Sequence, residues 1–289
     1  MPADELFTLD PSADAAPVSP EDDDFDTPAD WVTRDGLNAQ PGSHRVLLTI
    51  SYDGTAYAGW QRQQNAMSVQ QRVEEALLKL TGERIVVFAA SRTDAGVHAL
   101  GQRVHFDTKS RIPADRFPYA LNTCLPWDIR VLAGVEVGEC FHARFDARGK
   151  QYAYRIHNER HASALYRNLT AHEPVKLDVE AMRKALPQLI GTHNFAAFQA
   201  SGGTAKSTVR TIHAIELAQT GNDLTLTIRG NAFLYNMVRI IAGTLIEIGK
   251  GKLPASCIPL ALETGDRLVL GVTAPACGLE LTAVFYDRY

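Results

Sequence analysis

After His44 the chain runs apolar and β-branched through "RVLLTISYD", which predicts an opening strand, and then breaks into the Gly-punctuated aromatic loop "GTAYAGWQRQ". In "SVQQRVEEALLKLTG" the apolar positions Val69, Val73, Ala76, Leu77 and Leu80 recur at helical spacing. Ser68 is placed to cap that helix, with Gln71 three residues on, and Gly82 to stop it. "RIVVFAA" and "QRVHFDT" read as strands on either side of "SRTDAGVHAL", "PADRFPYALNTC" as a short helix and "DIRVLAGVEV" as a strand. The order is βαββαβ, the ferredoxin-like arrangement.

The second half repeats that order without repeating the sequence. A strand "KQYAYRIHN" precedes a helix "DVEAMRKALPQLIG", strands "VRTIHAIELAQ" and "DLTLTIRG", a helix "NAFLYNMVRIIAGTLIEIG", an extra short helix "PASCIPLALETG" and a final strand "LELTAVFY". The expected fold is α+β: two ferredoxin-like (RRM-like) halves, 44–145 and 146–289, with antiparallel sheets joined around a central cleft and helices on the outer side.

Charge changes the picture at the N-terminus. The 289 residues carry a net charge of −4, but residues 1–43 hold 11 Asp/Glu against one Arg, so the remainder is +6. Residues 1–43 are rich in Pro, Asp and Ala and poor in apolar residues, and read as a disordered, solubilising acidic extension in preference to a polyanion mimic. The basic body suits a polyanionic partner. No stretch approaches the apolar length of a membrane span or the layout of a signal peptide, so the expected location is cytoplasmic. Cys124, Cys140, Cys257 and Cys277 stand far apart with no C-x-x-C pair and read as buried free thiols, with neither zinc nor disulfides indicated.

The candidate chemistry centres on Asp94, in the turn between two β runs, with Arg92 and the Thr93 hydroxyl beside it and Gly96 close behind. Such a carboxylate either closes an Asx-turn or acts on a ligand. A nearby cation would keep it ionised, as a nucleophilic Asp requires. Arg239 adjoins the apolar face that Phe233, Met237, Ile240, Ile241, Leu245 and Ile248 form on one predicted helix, where it either snorkels to water or meets a buried acid, Asp94 being the natural partner. "FHARFDARGKQYAYRI" interleaves basic and aromatic residues, a pattern that suits phosphates and splayed bases and equally a strand with rings inward and cations in water. "SGGTAKSTVR" is a polar loop with Lys206 and Arg210. His98 and His105 show no third ligand at metal spacing, and no nucleotide-binding glycine fingerprint occurs.

Taken together, "YDGTAYAGWQRQ", "SRTDAGVHALGQRVHF", "FHARFDARGKQYAYRI", "GTHNFAAF", "NAFLYNMVRIIAG" and "APACGLEL" closely resemble the tRNA pseudouridine synthase A family, in order and spacing, over nearly all of residues 45–288. The resemblance implies isomerisation of uridine to pseudouridine at positions 38–40 of the tRNA anticodon arm, with no metal or organic cofactor, by a homodimer whose RNA site draws on both subunits. It assigns Asp94 as the catalytic aspartate, Arg239 as its basic partner, Tyr152 as the ring stacked on the target base, Leu279 as an apolar wall and Arg92 as a base-flipping contact. It assigns RNA binding to Phe141, His142, Ala143, Arg144 and Phe145, and to Gly202, Gly203, Thr204, Ala205 and Lys206. Two positions depart from the motif: Ser91 stands where Gly is usual, and Cys277 where Pro is common. A non-catalytic structured-RNA-binding protein is the rival reading, which would have no use for a buried carboxylate that repels phosphate.

Overall fold

The computed structural model describes residues 42–287, so the acidic extension lies almost wholly outside the described residues. The opening run forms β1 (His44–Tyr52), whose Val46, Leu48 and Ile50 are fully buried. Helix α1 (Val69–Thr81) begins where the capping pattern places it: Ser68 Oγ accepts from the Gln71 amide at 3.2 Å, and left-handed Gly82 closes the far end. The remaining elements of this half are β2 (Phe88–Ala89), β3 (His98–Thr108), α2 (Phe117–Leu121) and β4 (Ile129–Val137). β2 is much shorter than "RIVVFAA" suggests. Val87 instead meets side chains of α1: its amide donates to Glu74 and its carbonyl accepts from Gln70, so no strand partner is needed there.

The second half comprises β5 (Gly149–His157), β6 (Ala171–His172), α3 (Val179–Ala185), β7 (Gly191–Asn194), β8 (Val209–Thr220), β9 (Asp223–Gly230), α4 (Met237–Gly249), α5 (Cys257–Thr264) and β10 (Leu279–Phe285). Pro187 ends α3 earlier than its periodicity suggests, and the chain continues as a 3-10 turn over Leu186–Leu189. Helix α4 starts six residues later than expected, because Asn236 takes a left-handed conformation at φ 59° and breaks the helix from "NAFLY". Phe233, expected on its apolar face, is therefore not helical.

Both halves keep the ferredoxin-like strand order, and the two expected sheets are fused into one. The path runs β4-β1-β3-β10-β5-β9-β8-β7, with β2 also on β3 and β6 on β5. All pairings are antiparallel except β5 with β6 and β10 with β3, where Glu280 meets His98 and Leu281 meets Ala99. That short parallel seam brings the turn before β3, the start of β10 and the middle of β5 together. Of the cysteines, Cys257 is buried and Cys140 exposed, with Cys124 and Cys277 between, so the expectation of buried thiols holds for one of the four; all are free. Among the described residues no helix is long and apolar enough to cross a membrane.

Candidate active site

The turn carrying Asp94 is braced from outside by the loop that follows β1. Trp60 N donates to Thr93 O at 2.9 Å, and Gly96 N to Tyr57 O at 3.3 Å. Gly59 makes this approach possible: its φ is +90°, and a Cβ there would lie 2.5 Å from the Thr93 carbonyl. Gly96, also at positive φ, lets the Asp94–Val97 turn close, with Val97 N donating to Asp94 O at 3.1 Å. The "YDGTAYAGW" segment is thus the brace of the turn, a role its glycines signal only once the partner backbone is known.

Asp94 faces a cavity of about 500 Å³ at the seam between the halves. Leu279, the first residue of β10, and Tyr152 of β5 line it with Asp94 and Arg92. Tyr152 is buried, with its ring edge-to-face against Phe233 at 5.1 Å and its hydroxyl 2.8 Å from Ser91 Oγ. Burial pushes its phenol up to about 12. Arg239, in the first turn of α4, stands behind Asp94 with Nη1 at 3.9 Å from Oδ2. Its short hydrogen bonds go elsewhere: Nη1 donates to Asn236 Oδ1 and Nε to the Ala274 carbonyl, each at 2.8 Å. The electrostatics differ from the simple expectation of a carboxylate held ionised by its partner. Burial raises the Asp94 carboxyl above the ordinary aspartate range, and Arg239 pulls it only part of the way back.

Among the described residues lining the cavity, Asp94 is the one acid, against the cations Arg92, Arg144, Lys150 and Arg210. Arg210 is buried while Arg92 is exposed. Lys150 and Arg210 were not singled out as cavity residues by sequence reasoning. For Lys150 the signal was present, since in a strand it shares a face with Tyr152 two residues on.

The Phe141–Phe145 segment is folded inward. Phe141, His142 and Ala143 are buried, and Arg144 lines the cavity. Neutral imidazoles shape this loop, His105 Nδ1 accepting from Ala143 N, and His142 Nδ1 from Arg144 N and Phe145 N. His98 Nδ1 accepts from Gly54 N at 3.0 Å, so it too serves the brace and neither His98 nor His105 lines the cavity. Gly202, Gly203 and Thr204 line it; Ala205 and Lys206 do not, and Lys206 is exposed. No group of three or more His, Cys, Asp or Glu suited to a metal ion occurs among the described residues.

By fold and site, the molecule is an α+β protein with a basic cavity built around the Asp94 carboxylate and the Tyr152 ring. Comparison with known proteins narrows this. The sequence model of a family described as tRNA pseudouridine synthase matches residues 48–146 and 185–287. The chain is 51% identical over 243 residues to tRNA pseudouridine synthase A of Ruminiclostridium cellulolyticum, covering 84% of this chain and 99% of that one. It is 51% identical over 241 residues to the protein of the same name from Acetivibrio thermocellus, covering 83% and 99%. A chain in the crystal structure of an archaeal box H/ACA sRNP Nop10-Cbf5 complex overlays at a TM-score of 0.35 and 12% identity, covering 81% of this chain and 46% of that one. The chain belongs to the tRNA pseudouridine synthase family, and is an isomerase of that family.

Proposed function

We propose that this protein converts uridines at positions 38–40 of the tRNA anticodon arm to pseudouridine, with Asp94 as the catalytic nucleophile. The observation that carries the reading is the placement of Asp94, side chain 30% exposed and 3.9 Å from Arg239, in a cavity shared with the Tyr152 ring. In this reading the target nucleotide leaves its stack at a cost of a few kcal/mol, which stacking on Tyr152, worth about 1–3 kcal/mol, and a contact from Arg92 offset. Leu279 closes the apolar side of the base site.

The carboxylate then attacks C1′ of the sugar or C6 of the base, or assists departure of the base; all three routes end with the N1–C1′ bond broken and a C5–C1′ bond made. A proton must then pass overall from C5 to N1; Tyr152, a neutral phenol, can relay it by taking one proton as it gives up its own. The Phe141–Phe145 segment contributes to RNA binding through Arg144 and through the shape its buried residues give the loop, and the Gly202–Lys206 loop contributes through Gly202, Gly203 and Thr204, which line the cavity, and through the exposed Lys206 beside it. Arg92, Arg144, Lys150 and Arg210 supply the positive field that phosphates require.

The reading also takes 44–145 and 146–289 as the two halves, Asp94 coming from the first and Tyr152, Arg239 and Leu279 from the second. It includes a homodimer in the cytoplasm whose RNA site draws on both subunits. Incubating unmodified tRNA with the protein and mapping pseudouridine along the whole molecule tests the site preference. Product confined to positions 38–40 is expected; product elsewhere with those positions untouched overturns it.

A further inference from the structure

A buried hydrogen-bond network lies beneath the cavity floor and ties the aromatic ring to the carboxylate turn. Tyr152 hydroxyl and Ser91 Oγ are 2.8 Å apart. Ser91 is itself clamped by the fully buried Gln102, whose Oε1 accepts from Ser91 N at 3.3 Å and whose Nε2 donates to Ser91 O at 2.7 Å. The same Nε2 reaches the Tyr52 hydroxyl at 3.4 Å, and that hydroxyl lies 2.7 Å from Thr93 Oγ1. Residues 91 and 93, on either side of Arg92 and immediately ahead of Asp94, are therefore fastened to one network that also holds Tyr152.

We infer that Ser91 is a positioning residue for catalysis: its hydroxyl fixes the Tyr152 ring relative to the Asp94 turn, so that a base stacked on the ring meets the carboxylate in register. The inference rests on the reading of Tyr152 as the residue that stacks on the target base. The terminal torsion of a tyrosine is broad, so the ring's tilt is set by what touches its faces and its hydroxyl. Phe233 packs edge-on to the ring, and Ser91 pins the far end. Without the Ser91 hydroxyl the phenol is left in a buried place with that partner gone, and the ring is free to tilt. A small misplacement of a reacting group is costly to a rate and nearly invisible to binding. The hydrogen bond shared with Ser91 also lowers the Tyr152 phenol against the upward push of burial, which gives the contact a spectroscopic handle.

The test is Ser91→Ala, assayed on a tRNA uridine that the wild type converts, with kcat, KM and tRNA Kd measured together with the 13Cζ resonance of Tyr152, assigned by its loss in Tyr152→Phe. The expected result is a kcat lowered about three- to tenfold, the range spanned by one net hydrogen bond, with KM and Kd within about twofold and the Tyr152 resonance displaced. A kcat within twofold of wild type overturns the inference, as does a loss in kcat/KM wholly accounted for by weaker tRNA binding, which would make Ser91 a structural wall only. Tyr152→Phe keeps the ring and removes the hydrogen bond, so its full activity would overturn the inference about Ser91, as would full activity in Ser91→Ala; full activity in Tyr152→Ala, which removes the ring, would overturn the reading of Tyr152 beneath it.

Discussion

Arg239 faces Asp94 at 3.9 Å while its shorter bonds hold it to Asn236 and to the Ala274 carbonyl. The guanidinium is fixed by the protein at a distance where it acts on the carboxylate as a charge. Removing it leaves burial to act alone, so the Asp94 carboxyl rises further in Arg239→Gln. In the proposed mechanism attack requires the ionised form, so the acid limb of kcat/KM against pH is expected to move to higher pH in that variant. A pH profile of the two proteins on the same tRNA checks this, and coincident acid limbs would count against it.

Asn236 does two things at once: it occupies a left-handed conformation ahead of α4, and its side chain accepts from Arg239. Two substitutions separate these roles. Asn236→Gly keeps the backbone conformation without strain and loses the acceptor, so turnover is expected to fall about tenfold with little change in stability. Asn236→Ala loses the acceptor and adds roughly 1–2 kcal/mol of backbone cost. Parallel kinetics and urea melts of the two variants distinguish the contributions, and equal stability in both would refute the assignment of strain.

The loop that brings Arg144 to the cavity depends on a neutral His105. Its ring is buried against Phe88 and His142, and burial first, then unfavourable coupling of its protonated form to His142 and to the Arg45 charge, push it down to about 2. The folded pKa lies below the unfolded value near 6.5, so the unfolded chain binds the extra proton as the solution is acidified. Stability is unaffected above about pH 6.5 and falls below it, by about 1.4 kcal/mol per pH unit for this group. His105→Asn, whose amide oxygen can still accept from Ala143 N, should lose about 2 kcal/mol less than wild type between pH 6.5 and 5. Urea unfolding at the two pH values measures the difference, and identical slopes would contradict it.

Lys150 and Arg144 line the cavity, whereas Lys206 lies off it. If the first two meet phosphates, Lys150→Ala and Arg144→Ala each lower the slope of log K for tRNA binding against log salt by about one. Filter-binding titrations across a salt series read this directly. An unchanged slope in both would remove them from the RNA path.

Much of the scaffold could be read from local pattern. Helix α1 was visible in full because its caps and apolar stripe are all short-range signals, and the order of strands followed from alternation and turn residues. What escaped was set by distant partners. β2 shrank because Gln70 and Glu74 take up the backbone of Val87, and α4 began late because Asn236 is held in a conformation that propensity does not reveal. The fusion of two sheets rests on a two-residue seam between β3 and β10. At the site, Asp94, Tyr152 and Leu279 were legible from motif and do line one cavity, and Ser91 stood out as a departure from it. Its use was not legible, since its partner Tyr152 is 61 residues away.

In the proposed reaction Asp94 performs the chemistry and is not needed to hold the RNA. The most direct measurement is single-turnover formation of pseudouridine by Asp94→Asn with enzyme in excess over tRNA, beside a tRNA-binding curve for the same preparation. Binding within about threefold of wild type is expected, since Asn preserves the shape of the turn, with product formation slowed by about a thousandfold or more. Product at near the wild-type rate would contradict it.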